Sequence, residues 1–453
     1  MLLEDPHYSE RHWQFVQSSL EDIDREVEKH NTQVLVTYGA TLHVFDAIRR
    51  LYEDVSLSSH EETGIKLTYD RDLEMLDYCK EQNISWVEYQ SNGIIRGKRN
   101  RKNWTKSWYA YMSSARLDVN LYKINWLTKR DISKLKSKIG RPMTRSFLGG
   151  SSWQRGGRSE GLQYLDSFVQ TRVYDYARGI SKPGLSRTSC SRLSPYIAWG
   201  NISIKEAYQS GMEAKEQSAK KKVFQAFLSR LRWHCHFIQK FDMECEMEFL
   251  SYNRAYRHLD QPINEVFLEA WKQGMTGYPL VDASMRCLKA TGYLNFRMRA
   301  MLVSFLTHHL WQPWQSASHH LASIFLDFEP GIHYPQLQMQ AGVTGTNTLR
   351  IYNPIKQSYD HDAEGSFIKE WVPELSAISS VHIHEPWKMT LLEQAFTKVE
   401  IGKDYPSPIV DIAETGRYAR EVLWSFRKRK DVRAEARRIV EKHTIGGLSR
   451  PNH

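Results

Sequence analysis

The residues of this chain that could do chemistry fall into a few short groups. TSCSRLSPYIAWGNIS (188–203) packs hydroxyls ahead of a helix start. Ser and Thr side chains and free N–H groups converge there, which suits a cofactor phosphate and equally suits a cluster of helix N-caps. Arg297 and Arg299 stand with Asp327 and Glu329 as opposite charges, either a buried pair at a site or an ordinary interhelical salt bridge. A buried charge of this kind needs its partner, because an unpaired one is costly. His333 could hold or release a proton according to its pKa, or be a plain core or surface histidine. The 14 tryptophans could stack on bases or on a ring cofactor, or relay electrons, and could equally fill large cores. Metal chemistry is not indicated. The five cysteines (79, 190, 235, 245 and 287) are scattered without a close pair, and there is no phosphate loop, HExxH or CxxC.

The elements that must position these groups divide the chain in two. Its 453 residues allow two or three domains with sizeable cores. Before residue 130 helical and strand-like runs alternate. HWQFVQSSLEDIDREVEKHN reads as a helix, TQVLVTYG as a strand, TLHVFDAIRRLYED as a helix and GIKLTY as a second strand. RDLEMLDYCKEQN then reads as a helix and ISWVEY as a third strand, which together imply parallel βαβ units. The segment from about 128 to 160 is rich in Lys, Arg, Gly and Ser and reads as an interdomain linker. Nearly everything beyond is helical. KKVFQAFLSRLRWHCHFIQKF sets Phe224, Phe227, Leu228 and Leu231 on one core face, and YAREVLWSFRKRKDVRAEARRIVEKH reads as one long basic amphipathic helix.

The net charge is +10 and the sequence pI about 9.1, a balance that favours polyanionic partners. NGIIRGKRNRKNWTKSW (92–108) interleaves basic residues with two tryptophans, as a solvated loop or a phosphate-contacting surface would. No apolar run approaches the roughly 18 residues of a membrane span, and the start lacks a signal peptide's apolar region. A soluble, cytoplasmic protein with reduced thiols is expected.

One block is more specific than any of these signals. It runs from Trp271 to Leu375 through WKQGMTGYPLVDASMRCLKATGYL, FRMRAMLVSFL, LWQPW, LASIFLDFEPGIHYPQLQMQAG and LRIYNPIKQSYDHDAEGSFIKEWVPEL. It closely resembles the flavin-binding core of the photolyase/cryptochrome family, and the likeness extends over roughly 160–412. The resemblance implies an α/β domain with a Rossmann-like parallel sheet (1–127), a linker (128–159) and a large all-α FAD-binding domain (160–453). Family members normally open on a strand and an arginine-rich turn. This chain opens almost directly on a helix near His7, so a truncated sheet or a late start codon is expected, with no N-terminal antenna pocket.

By the same resemblance FAD is the cofactor and damaged DNA the partner of a monomer. Tyr174, Arg178, Ser191, Arg192, Leu193 and Ser194 are expected to hold the cofactor's diphosphate segment. Arg297, Arg299, Asp327, Glu329, His333 and His234 are expected around the flavin, with Asp327 accepting from ring N3 and Arg299 offsetting negative charge. Trp233 and Arg230 in SRLRWHCHF, with Met339, would face a lesion. Trp314 aligns with the middle member of a three-tryptophan electron relay.

Departures cluster at the same face. Arg230 stands where dimer-repair enzymes carry a Glu, Phe296 for an Asn, and His333 for the residue beside flavin N5. Leu337 and Gln261 break the relay, and Met339 replaces a second lesion-facing Trp. The implied activity is blue-light-driven electron transfer from reduced FAD to a pyrimidine lesion. A cryptochrome-like photoreceptor, or a DNA-binding flavoprotein without repair, is the alternative.

Overall fold

The computed structural model describes residues 2–117, 119–139 and 153–444. The middle of the expected linker, 140–152, lies outside them. The N-terminal part comprises α1 (Glu10–Val27), α2 (Thr41–Arg49), β1 (Ser56–His60), α3 (Lys66–Glu81), β2 (Ser85–Tyr89), α4 (Trp104–Ser113) and α5 (Lys129–Lys138). The two strands pair in parallel, Ser56 opposite Ser85 and His60 opposite Tyr89, with α3 as the crossover. It is an α/β domain with a short sheet.

Two strands read from the sequence are absent. GIKLTY is not a strand, because Lys66–Tyr69 is the first turn of α3. Ile65, Met75 and Cys79 recur at helical spacing and are all buried, and Lys66 pairs with Asp70 one turn on at 2.5 Å. The strand before α3 is instead Ser56–His60, a hydroxyl-rich run held by backbone pairing rather than by an apolar pattern. TQVLVTYG forms no strand either. The Val34 N–H donates to Asp24 Oδ1 at 2.7 Å and Thr32 Oγ1 donates to the Leu127 carbonyl at 2.7 Å, so side chains and a loop replace a neighbouring strand. The expected linker is also partly regular. Thr128 caps α5, its Oγ1 accepting from Asp131 N at 3.2 Å.

The helical part follows as α6 (Arg158–Ser167), α7 (Val173–Gly179), α8 (Pro183–Ser189), α9 (Ser194–Ala198), α10 (Ile204–Gln217) and α11 (Phe224–Met243). Next come α12 (Glu265–Gln273), α13 (Pro279–Thr291), α14 (Phe296–Ser304), α15 (Gln315–Ile324) and α16 (Pro330–Gln340). It ends with α17 (Pro354–His361), α18 (Ser366–Trp371), α19 (Leu391–Thr397), α20 (Ile412–Arg427) and α21 (Lys430–His443). The long C-terminal helix expected from the sequence is thus two helices. Arg429 leaves the helical region at ψ 145° and forks onto Asp431 at 2.6 Å, which breaks the run inside RKRKD. No helix among the described residues is long and apolar enough to cross a membrane.

Most of the tryptophans answer to packing. Trp271 and Trp314 are buried in a cluster built on α12–α16, and Trp104 and Trp108 in a second one built on α4 and α6–α11. The TGYPLVDASMR motif is structural too. Fully buried Asp282 accepts from Thr276 N (2.8 Å), Thr276 Oγ1 (2.6 Å), Gly277 N (3.0 Å) and Tyr405 Oη (2.5 Å), fixing the turn into α13. A Cβ on Gly277 would lie 2.4 Å from the Ser407 carbonyl oxygen, so only glycine fits there.

Helix α1 docks on the helical part. Arg11 donates to Leu288 O, Lys289 O and Ile324 O, carbonyls of the last turns of α13 and α15. Helices α11 and α16 pack so closely that a Cβ on Gly331 would lie 2.7 Å from Ile238 Cα.

Candidate functional site

Helices α7, α9, α11, α14 and α16 surround a cavity of about 330 Å³, a size typical of small-molecule sites. Helical periodicity selects its lining. Arg230, Trp233, His234 and Phe237 share one face of α11; Phe296, Arg299, Ala300 and Val303 share one face of α14; Ile332, His333, Gln336, Leu337 and Gln340 share one face of α16. Ser191, Arg192 and Ser194 line it from the turn into α9, and Asp327 and Glu329 from the turn into α16.

The same periodicity leaves other expected residues outside. Tyr176 lines the cavity, so Tyr174 and Arg178, each two residues or about 200° around the helix, face away. Tyr174 is exposed and shares a hydrogen bond with Ser218 Oγ at 3.2 Å, while Arg178 pairs with Asp175 at 3.1 Å in solvent. Arg297 is two residues from Arg299 and lines a separate basic hollow with Arg350, Lys356, Arg420 and Trp424. Leu193 is packed in the core, and Met339 is half-buried away from the cavity lining. Trp314 is buried behind the site, its Nε1 donating to Ser251 Oγ at 3.1 Å.

At the inner wall Arg299 Nη2 donates to Asp327 Oδ2 at 2.9 Å, its Nε donates to Leu294 O at 2.7 Å, and its guanidinium lies 4.0 Å from the Phe325 ring centre. Burial alone would raise the Asp327 pKa, but Arg299 overrides it and holds the carboxyl below its ordinary range. His234 and His333 are kept neutral by burial, pushed down to about 4 and about 3. His333 Nε2 sits 3.0 Å from the Ser318 carbonyl, which can only accept, so Nε2 carries the proton and Nδ1 the lone pair. Glu329 caps α16, and burial pushes its carboxyl up to about 8.

Among the described residues several polar atoms of the lining have no hydrogen-bond partner: Asp327 Oδ1, His234 Nε2, Asn295 Oδ1 and Arg192 Nε. Groups buried like this without a bond are expensive, so the cavity is shaped for a ligand offering donors and acceptors along its length. A flavin dinucleotide meets that demand. Asp327 Oδ1 suits a ring N–H, and the Ser191–Ser194 turn suits the polar middle of the molecule.

The mouth differs in character. Trp233 is 46% exposed and Phe296 40%, with the Arg230 guanidinium 5.6 Å from the Phe296 ring centre. A second cavity of about 540 Å³ lies against β1 and α3 and shares Ala198, Phe328 and Glu329 with the first. Tyr176, Phe237, Asn295, Tyr293, Gln336 and Gln340 were not anticipated from sequence. Wheels drawn on Arg230 and His333 find Phe237, Gln336 and Gln340, whereas nothing local marks Tyr293 or Asn295.

Comparison with known proteins agrees with this arrangement. Residues 227–425 match the family described as the FAD binding domain of DNA photolyase. A deoxyribodipyrimidine photo-lyase of Alkalihalophilus pseudofirmus is 33% identical over 262 residues, covering 57% of this chain and 53% of the relative. A cryptochrome DASH of Gloeobacter violaceus is 31% identical over 265 residues, 58% of this chain and 53% of that protein. The match therefore spans about half the length of these relatives. The crystal structure of a Synechocystis cryptochrome superposes with a TM-score of 0.81 at 22% identity, covering 92% of this chain and 89% of the other.

Proposed function

We propose that this chain, which belongs to the photolyase/cryptochrome family and carries its FAD-binding domain over residues 227–425, is a light-driven DNA lyase that splits a pyrimidine lesion. The observation that carries the reading is the mouth of the cavity. Two exposed rings, Trp233 and Phe296, flank it beside Arg230, and the carboxyls that line it among the described residues, Asp327 and Glu329, lie inside. Trp233 rests on His236 and Phe237 yet stays half-exposed at the rim, and its open surface suits stacking with a base turned out of its helix.

Reduced FAD held here would supply one electron on excitation by blue light. The chain's residues do the rest. Asp327 Oδ1 would anchor the ring edge, and Arg299 would supply the positive charge that a reduced, anionic ring requires. His333 presents a lone pair rather than a proton at Nδ1. Phe325, Phe328 and Leu337 keep water from the inner wall. Trp233 and Phe296 hold the lesion face-on, and Arg230 offsets the negative charge that the lesion carries between arrival and return of the electron.

The photoreceptor reading is favoured by one feature, the absence at Arg230 of any acceptor for a lesion's N–H groups. The deciding experiment reduces the bound flavin chemically, then illuminates the protein with oligonucleotides carrying a cyclobutane dimer or a (6-4) product. Restored bases are counted by chromatography. Light-dependent repair of one lesion is expected. No repair of either, with DNA bound and the flavin fully reduced, rules out repair of these lesions.

A further inference from the structure

Behind the cavity wall three side chains form a chain that neither packing nor cofactor binding requires. Asp5 Oδ1 lies 2.6 Å from His7 Nδ1, and His7 Nε2 lies 2.5 Å from Tyr334 Oη. All three are largely buried, Tyr334 completely so. A carboxylate only accepts, so His7 Nδ1 carries the proton, Nε2 is the free base, and Tyr334 donates to it. Two aromatic groups of the lining separate this triad from the cavity: His333, 5.1 Å from the Tyr334 ring, and Phe328, stacked 5.4 Å from His7. Trp314 lies 6.2 Å from Tyr334 on the far side, edge-on. Leu337, one turn along α16 on the cavity face, offers nothing oxidisable.

We propose that Tyr334, with His7 as its base and Asp5 orienting that base, is the proton-coupled electron donor that reduces the bound flavin in light. The inference rests on FAD occupying the cavity and is independent of DNA repair. Tyr334 gives one electron to the light-excited oxidised flavin, and its phenolic proton crosses to His7 Nε2. A neutral tyrosyl radical and an imidazolium paired with Asp5 result. An external thiolate then returns one electron to Tyr334, becoming a thiyl radical that couples to a disulfide, and His7 returns the proton. Burial supports this order. It raises the Tyr334 phenol far above its ordinary value, so the proton does not leave alone, and it lowers His7, which keeps Nε2 free to receive it. Because electron and proton move together, no net charge is created on the buried phenol.

The test uses the holoprotein with oxidised FAD, illuminated anaerobically with a thiol, freeze-trapped and read by electron paramagnetic resonance. A neutral tyrosyl radical is expected, its hyperfine structure collapsing with ring-deuterated tyrosine, and absent from Tyr334→Phe at unchanged flavin content. His7→Gln keeps an acceptor but no base. It should slow radical formation by about a hundredfold, the low end of what a positioned base contributes, and abolish the rate difference between H2O and D2O. A tryptophanyl radical in the native protein, a tyrosyl signal surviving in Tyr334→Phe, or an unchanged rate in His7→Gln overturns the assignment. If Tyr334→Phe does not fold, the labelled native protein and His7→Gln decide by the same readouts. A native protein with no flavin absorbance, seen before illumination, overturns the cofactor reading together with the relay.

Discussion

Replacing Arg299 by Leu should be far more damaging than replacing Asp327 by Asn. The asymmetry comes from where each charge stands. Asp327 is 7% exposed and Arg299 28%, and the two meet at 2.9 Å. Arg299→Leu leaves a buried carboxylate with no counter-charge, a loss of about 3–5 kcal/mol. Asp327→Asn leaves Arg299 with the Leu294 carbonyl, the Phe325 face and partial solvent contact, so about 1–2 kcal/mol is expected. The pH dependence should invert as well. In the native protein the Asp327 pKa lies below its unfolded value, so its contribution is present above pH 4 and is lost as pH falls through the lower folded value. In Arg299→Leu, burial loses its largest opponent, with only the Ser194 and backbone hydrogen bonds left against it, so the carboxyl should rise and the deficit should shrink on acidification. Urea unfolding at pH 7 and pH 5 reads both effects, and FAD titration adds a third. Losing one charge-assisted bond at the ring should weaken FAD by about tenfold to a hundredfold. Equal losses for the two variants, or an Arg299→Leu deficit below about 1 kcal/mol, would refute the buried-pair argument.

Three further outcomes follow from the same geometry. Trp233→Ala should weaken lesion-DNA binding by about 1–3 kcal/mol with the unfolding midpoint nearly unchanged, whereas Trp314→Ala should lose about 3–5 kcal/mol of stability; fluorescence titration and urea unfolding separate them. Tyr174→Phe and Arg178→Gln should leave FAD affinity unchanged, since both side chains face away from the cavity, and a drop in flavin content for either would show that the face has been misassigned. Glu329, with a folded pKa raised to about 8, contributes stability that is complete below about pH 4.5 and is lost as pH rises through 8. Glu329→Gln should flatten that decline, measured as the urea midpoint between pH 5 and pH 9.

What the sequence could tell depended on how far apart the cooperating residues stood. Arg299 and Asp327 were legible because both lie in one recognisable block, and the structure brings them within hydrogen-bond reach. Tyr174, Arg178 and Arg297 each stand two residues from a position that lines the cavity, and the structure turns them away from it. A motif supplies spacing, but the face of a helix is decided by which neighbour packs on it, and two residues reverse the face. Ser56–His60 was invisible as a strand because its signal is backbone pairing with Ser85–Tyr89, and GIKLTY misled because its apolar start continues at helical period into α3. The Asp5–His7–Tyr334 triad joins residues 327 positions apart, and no local pattern could suggest it.

The most specific motifs of the chain turn out to say least about its chemistry. Asp282, Gly277 and Tyr405 identify the fold because they close a buried turn, and any member with this fold needs that turn closed whatever it does with light. On the reading proposed above, the chemistry falls to a few residues at the mouth, and Arg230 is the one that differs most from an acceptor. A cation about 5 Å from a base that takes on an electron lowers its energy by about 3 kcal/mol at an effective dielectric of ~20. Solvent at an exposed rim cuts that to about 1 kcal/mol, still enough for about a fivefold change in the electron's residence on the lesion. Arg230→Gln removes the charge and introduces an acceptor, and Arg230→Met removes the charge and offers no hydrogen-bonding group. If charge is what matters, the two variants should split a lesion equally slowly. If hydrogen bonding is what matters, Gln should exceed both Met and the native residue, and the mouth would then be tuned for a substrate that brings its own acceptors.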